Sequence, residues 1–273
     1  MPEAASSITR ERVRHPLAVR HLEVARKTQL TPHLVRITLV GDELAGFTSL
    51  GPADHVKLFF PDASGTLTTP VVTAEGIRRP EEGEIIARDY TPHEYRSESG
   101  ELDIDFVLHG DKGPASAWAA RAEKGDQLAV AGPRGSHLPP DNIRSMVIVA
   151  DESAFSAALR WIDGTPTSVP VTALLVAANP KDFAYFPDDL PADLRWFAGE
   201  GRAEEVADEL RGLSFDEGTF VFLAGEAGLI APLRRYLRRE LNLPKVHMDA
   251  QGYWKQGVAE LDHHAPLDPS DPD

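Results

Sequence analysis

The stretch ARDYTPHEYR, residues 87–96, holds an arginine, one residue, then a tyrosine and a threonine: Arg88, Tyr90 and Thr91. It reads as the end of a strand, because Tyr90 and Thr91 suit a pleated surface and Pro92 stops regular pairing. Alternation sets Arg88 and Tyr90 on one face and Thr91 on the other. A guanidinium can fork onto a pyrophosphate, and a ring beside it can lie against an isoalloxazine. A flavin nucleotide asks for that pair. Read alone, the same residues also describe a half-buried strand with an ordinary tyrosine, and short patterns match by chance.

Outward from this stretch, the first half of the chain reads as short strands. Residues 17–29 and 33–40 form an antiparallel pair around Thr31-Pro32. HVKLFF (55–60) alternates, with Val56, Leu58 and Phe60 on one face and Lys57 on the other. Residues 61–84 read as a long loop or a weak hairpin. Residues 101–108 alternate most clearly, with Leu102, Ile104, Phe106 and Leu108 inward. A strand at 127–131 follows the single helix, 114–121. Short strands, turn signals and one helix predict a small antiparallel barrel. The helix begins with Pro114 at its first position, where a missing N–H costs nothing. Gly113 permits close backbone approach, and the N–H groups of Ala115 and Ser116 face the positive end of the helix dipole. This is a phosphate cradle or simply a helix start.

The pattern changes after Pro139-Pro140. Apolar runs at 145–150, 171–178, 194–198 and 220–224 alternate with helical segments at 153–162, 203–210 and 229–241, which predicts a parallel sheet covered on both faces. In the last helix Leu229, Ile230, Leu233, Tyr236, Leu237 and Leu241 form an apolar stripe. Arg234, Arg235, Arg238 and Arg239 read mainly as a solvated face. The predicted organisation is a flexible arm (1–16), an antiparallel β-barrel (17–140), a parallel α/β domain (141–262) and a disordered tail (263–273) that contains His263-His264.

The chain has 273 residues and a formal net charge of −15, with no cysteine. Disulfides, thiolate metal sites and a cysteine nucleophile are excluded. So acidic a chain is a poor nucleic-acid binder and repels anionic cofactors at long range, so a phosphate site must come from local cations and backbone N–H groups. No run approaches a membrane helix, and the first residues lack the apolar core of a signal peptide, so a cytoplasmic protein is expected. There is no G-x-S-x-G elbow, H-E-x-x-H or P-loop, and the full G-x-G-x-x-G fingerprint is absent.

The Arg88 stretch resembles the flavin-binding motif of the siderophore-interacting proteins, a branch of the ferredoxin-reductase-like flavoenzymes. DFVLHGDKGPASAWA (105–119), AGPRGSH (131–137), AGEAGLIAPLRRYL (224–237) and GYWKQG (252–257) fit that family in order. The resemblance covers residues 17–260. It implies an FAD-binding barrel followed by an NAD(P)H-binding α/β domain. It also implies a ferric-siderophore reductase that takes hydride from NADH or NADPH onto FAD and passes single electrons to Fe(III), with no catalytic metal ligand in the protein. Onto this chain it carries Arg88, Asp89, Tyr90, Thr91, His109, Gly113, Pro114, Ala115 and Ser116 as FAD contacts. The loops Asp151, Glu152, Ser153 and Gly225, Glu226 become nicotinamide contacts, although helix capping explains Asp151 or Ser153 equally well. Lys57, Arg134 and Lys255 are suggested as a cationic rim for an anionic ferric siderophore, with Trp254 as a further substrate contact. Pro92-His93 stands where the family often has a second arginine, so no contact is carried over from there. Lys181 would favour a 2′-phosphate and Asp182 oppose it, which leaves both nicotinamides open. A monomer is expected. The rivals are a general flavin or quinone reductase on the same scaffold, and a protein that holds the siderophore without redox work.

Overall fold

A computed structural model describes residues 8–73, 76–110, 113–258, 266–268 and 270–271. The chain divides into two compact units. One is Arg12–Leu138; the other is Pro139–Asp273 together with Met1–Glu11.

The first unit contains β1 (Arg12–Arg14), β2 (Val19–Thr31), β3 (Leu34–Val40), β4 (Val56–Phe60), β5 (Val71–Thr73), β6 (Gly76–Arg78), β7 (Ile86–Tyr90), β8 (Pro92–Arg96), β9 (Glu101–Val107), α1 (Pro114–Arg121), β10 (Gln127–Ala131) and β11 (Gly135–His137). Seven strands form one antiparallel sheet in the order β7-β4-β10-β2-β3-β9-β8. Flat, such a sheet would hold its edges about 29 Å apart, at about 4.8 Å per strand. Here the two edge strands are consecutive in sequence, and Thr91 alone separates Tyr90 from Pro92. The sheet must therefore curl. The edges meet through the covalent chain, and among the described residues they are not hydrogen-bonded to each other. The result is a half-barrel with its seam at Thr91, which is buried.

Pro92 begins β8, a strand that sequence reasoning missed by taking proline as a stop. At the first position of an edge strand, a missing donor is harmless. Inside the curl lie Leu22, Val24, Ile37, Leu39, Leu58, Phe60, Leu102, Ile104, Phe106 and Val130, with α1 laid against them. Trp118 of α1 packs edge-on to Phe60 at 5.6 Å and against Phe106 at 5.8 Å.

The convex side of β2, β3, β9 and β8 carries an ionic ladder. Arg26 and Arg96 grip Glu101, Arg96 and Thr38 hold Asp103 (2.9 and 2.6 Å), and Arg36 forks onto Asp105 at 2.7 and 2.8 Å. His93 lies 3.4 Å from Asp105. Hydrogen bonding from Arg26 holds the Glu101 carboxyl down at about 2. Burial opposes ionisation of Asp103, but the bonds from Arg96 and Thr38 outweigh it and lower its pKa. Burial lowers the pKa of His93 against the pull of Asp105. Carboxyls with depressed folded pKa values stabilise the fold above their ordinary range and lose that contribution as pH falls toward the folded value. A histidine kept neutral likewise costs stability once the unfolded chain protonates. The expected melting temperature therefore falls from about pH 6.5 toward pH 2. Glu101→Gln should flatten the part of the curve below about pH 4.5, read by circular dichroism. A variant curve parallel to wild type throughout would refute this.

The second unit contains β12 (Ser145–Asp151), α2 (Phe155–Gly164), β13 (Val171–Ala177), β14 (Asp193–Ala198), α3 (Ala203–Arg211), β15 (Thr219–Glu226), α4 (Ala227–Arg235) and β16 (Met248–Trp254). Its five strands are all parallel, in the order β14-β13-β12-β15-β16. Trp161 of α2 covers one face against Phe220 and Phe222. Val206, Leu210, Ile230 and Leu233 cover the other.

Four expectations change in this unit. After Arg235 the helix widens into a π turn, Tyr236–Glu240, closed by the bond from Leu241 N–H to the Tyr236 carbonyl. The wider turn shifts the helical phase, so Leu241 leaves the predicted stripe for solvent while Leu243 turns inward. Arg234, expected on the solvated face, is buried against Asp271 at 3.2 Å. Arg235 pairs with Asp268 and Arg239 with Asp271, so the described part of the predicted disordered tail is docked on α4 and the π turn that follows it. The same holds for the described part of the predicted loose arm: Ile8 is buried, and Arg10 bonds Asp249 at 2.6 Å and lies over the Trp161 ring. His263-His264 falls outside the described residues.

Candidate functional site

Cross-strand register sets what faces the hollow of the half-barrel. Arg88 lies opposite Leu58 and Tyr90 opposite Val56, and both partners belong to the buried core. Arg88 and Tyr90 therefore lie on the concave face, next to the seam. The Arg88 guanidinium donates to the Ala87 carbonyl at 2.7 Å. The Tyr90 ring packs on Phe106 with centroids 4.5 Å apart, and burial pushes its phenol pKa well up. The phenol is thus neutral at any working pH.

The row continues past Leu58 to Val130 and then Arg20. Arg20 is a second cation on this face that sequence reasoning missed. Its position in the alternation with Leu22 and Val24 was the available signal. It is 8 % exposed, lies over the Phe47 ring at 5.3 Å and reaches the Gly132 carbonyl at 3.3 Å.

Asp89 faces the other way. It sits opposite Lys57 on the convex side, with Lys57 Nζ 2.7 and 2.9 Å from its two oxygens. Strand alternation thus separates the Asp89 side chain from the Arg88–Tyr90 face.

The start of α1 lies next to His109. The first bond of the helix runs from Ala117 N–H to the Gly113 carbonyl, so the N–H groups of Ala115 and Ser116 precede the helical ladder. A Cβ at Gly113 would come 3.3 Å from the His109 ring. The Ser116 hydroxyl accepts from His109 N–H and donates to the Gly110 carbonyl, both at 3.0 Å. It fastens the loop ahead of the helix, so a ligand contact from Ser116 would come from its backbone. A fork-shaped cation, an aromatic wall and helix N–H groups make a donor set that fits the diphosphate and ring system of FAD.

In the parallel sheet the strand order turns back between β12 and β15, and ligands of such sheets bind outside the strand ends at that point. There the structure places Asp151, which is 4 % exposed. Oδ1 accepts from Ser153 N–H and Oγ at 2.9 and 2.5 Å; Oδ2 accepts from Glu226 N–H at 2.7 Å and from Trp254 Nε1 at 2.8 Å. Burial pushes the Asp151 pKa up, against four hydrogen bonds that favour the carboxylate. Glu226 caps α4 through Leu229 N–H at 2.9 Å and also accepts from Gln256 N–H. Glu152 accepts from Ala178 N–H.

These carboxylates, expected as nicotinamide contacts, tie strand ends and helix starts together. The exposed surface they frame is the Trp254 ring, 44 % exposed. Sequence reasoning missed the Asp151–Trp254 bond because its partners are 103 residues apart. Of the suggested cationic rim, Arg134 is exposed beyond Ala131, the cross-strand partner of Lys57, and Lys255 is exposed at the turn after β16.

Residues 23–137 match the family model of the siderophore-interacting FAD-binding domain, and residues 143–257 match that of the siderophore-interacting protein. The chain belongs to the siderophore-interacting protein family. It is 35% identical over 249 residues to an NADPH-dependent ferric-chelate reductase of Escherichia coli, covering 89% of this chain and 96% of that one. It is 31% identical over 251 residues to the ferric vibriobactin reductase ViuB of Vibrio cholerae, covering 90% and 92%. A crystal structure of a siderophore utilization protein from T. fusca superposes with a TM-score of 0.86 at 36% identity, covering 94% of this chain and all of that one. Membership makes the half-barrel the family's FAD-binding domain and the parallel sheet its partner domain. Among the described residues no helix is long and apolar enough to cross a membrane.

Proposed function

We propose that this protein is an NAD(P)H-dependent ferric-siderophore reductase, working in the cytoplasm as a monomer. The observation that carries the reading is the concave seam, where Arg88 and Tyr90 stand side by side in a family FAD-binding domain. Similarity to named ferric-chelate and ferric-vibriobactin reductases along nearly the whole chain supports the substrate class.

When bound, FAD would supply the redox chemistry that links two-electron hydride donation by reduced nicotinamide to one-electron reduction of Fe(III). The chain's own residues bind and orient. Arg88 offers a bidentate fork to the diphosphate. The N–H groups of Ala115 and Ser116 add the helix dipole. Tyr90 walls the ring system as a neutral phenol. The nicotinamide cofactor meets the β12–β15 crevice at the loops Asp151–Ser153 and Gly225–Glu226. Lys57, Arg134 and Lys255 are proposed contacts of the ferric chelate, which is substrate. Hard oxygen donors suit Fe(III) better than the softer Fe(II), so reduction loosens the chelate and no protein ligand to iron is required.

The test is an anaerobic absorption spectrum of purified protein. A flavin band that bleaches with NADH or NADPH and returns on adding a ferric siderophore is the expected result, and the faster donor identifies the physiological nicotinamide. A flavin that bleaches but is not reoxidised by any ferric chelate would point to the general flavin or quinone reductase. Colourless protein unable to take up FAD would overturn the reading.

A further inference from the structure

Lys57 is the proposed chelate contact whose charge the structure shows to be compensated. It stands directly across the β4–β7 ladder from Asp89, on the convex face, and both carboxylate oxygens lie within 2.9 Å of its ammonium. The pair is half open, with the lysine side chain 41% and the aspartate 26% exposed. An exposed ion pair of this kind contributes little to folding, and the flanking Val56, Leu58 and Phe59 already anchor β4 in the core. Stability gives little reason for an aspartate here. Its larger effect is on what the surface attracts. A bare ammonium attracts an anion as a point charge, whereas an ion pair acts as a dipole whose field falls off faster. The chain's net charge of −15 adds long-range repulsion.

Ferric chelates differ in charge by simple arithmetic. Three catecholates around Fe(III) leave three negative charges, and three hydroxamates leave none. We propose that Asp89 is a specificity-determining residue: by neutralising Lys57 it sets the site for ferric chelates of low charge, of the hydroxamate class, against triply anionic tris-catecholates. This rests on the reading of Lys57 as a chelate contact.

The test uses FAD-loaded protein and the Ga(III) complexes of a hexadentate tris-catecholate and a hexadentate tris-hydroxamate. Ga(III) keeps the charge and shape of the ferric chelate and is not reduced, so binding is read without turnover, by calorimetry. Asp89→Asn frees the Lys57 charge while keeping side-chain volume. At low salt it should tighten tris-catecholate binding by about three- to tenfold and change tris-hydroxamate binding by less than about twofold. The gain should shrink at about 1 M salt, where the Debye length is about 3 Å, and should vanish in a Lys57→Ala background. Equal changes for both chelates, no change for either, or a gain that survives Lys57→Ala would overturn the proposal. If wild type reduces a ferric hydroxamate while Asp89→Asn binds both complexes as wild type does, the specificity role fails and the reductase reading stands. If neither protein binds or reduces any chelate, both fail.

Discussion

Gly225→Ala is expected to cripple folding of the α/β unit. A Cβ at this position would lie 2.6 Å from Asp151 Cγ and under 3 Å from both its oxygens. Asp151 cannot swing away, because four hydrogen bonds hold its carboxylate between Ser153, Glu226 and Trp254. The backbone at Gly225 also has φ near +146°, which side-chain-bearing residues resist. Overpacking costs about 1–3 kcal/mol and an unfavourable backbone region about as much again. The sum, about 2–6 kcal/mol, is a large share of a typical domain's 5–15 kcal/mol. Urea denaturation should show a midpoint lowered by at least about 1 M, or the variant should be insoluble. Gly228→Ala is the milder comparison: its added Cβ meets the end of the Glu226 side chain at 2.7 Å, so relief costs the cap on Leu229 N–H but involves no positive-φ backbone. A Gly225→Ala midpoint equal to wild type would mean that the strand ends are not locked around Asp151.

Arg88→Ala is expected to have the largest effect on the flavin. Loss of one charge-assisted, forked contact costs about 1.5–3 kcal/mol, so FAD affinity should fall about 10- to 100-fold. Far-ultraviolet circular dichroism should stay unchanged, because Arg88 sits on the edge strand β7 and is only partly buried. Titration of apoprotein with FAD, followed by flavin fluorescence, measures this. Arg88→Lys should recover part of the loss, since it restores charge without the fork. An Arg88→Ala protein that is purified fully yellow with wild-type affinity would remove Arg88 from the site.

Both substitutions fall in stretches that stand out in the sequence, but for different reasons. Arg88-Asp89-Tyr90-Thr91 is legible because strand alternation is local: it places Arg88 with Tyr90 before any partner strand is known. Gly113-Pro114 marks a helix start by the same kind of local chemistry. The clearest strand, β9, has nearly the bounds that its alternation predicts. The curl at Thr91 was not legible, because β7 and β8 become the two edges only when the other five strands pair in their particular order. Gly225 looked like room for a ligand, and the structure fills that room with Asp151.

Composition and periodicity by themselves determined an acidic, cysteine-free chain with an antiparallel β half, a parallel α/β half and a cation beside an aromatic ring at a strand end. These are properties of neighbours in sequence, governed by backbone geometry and by which faces must leave water. Tertiary structure alone decided which charges are spent. Lys57 meets Asp89, Asp151 meets Trp254, and Arg234 meets Asp271, across 32, 103 and 37 residues. Coulomb attraction and hydrogen bonding act over a few ångströms of space, whatever the separation along the chain. Only the folded register brings such partners within reach.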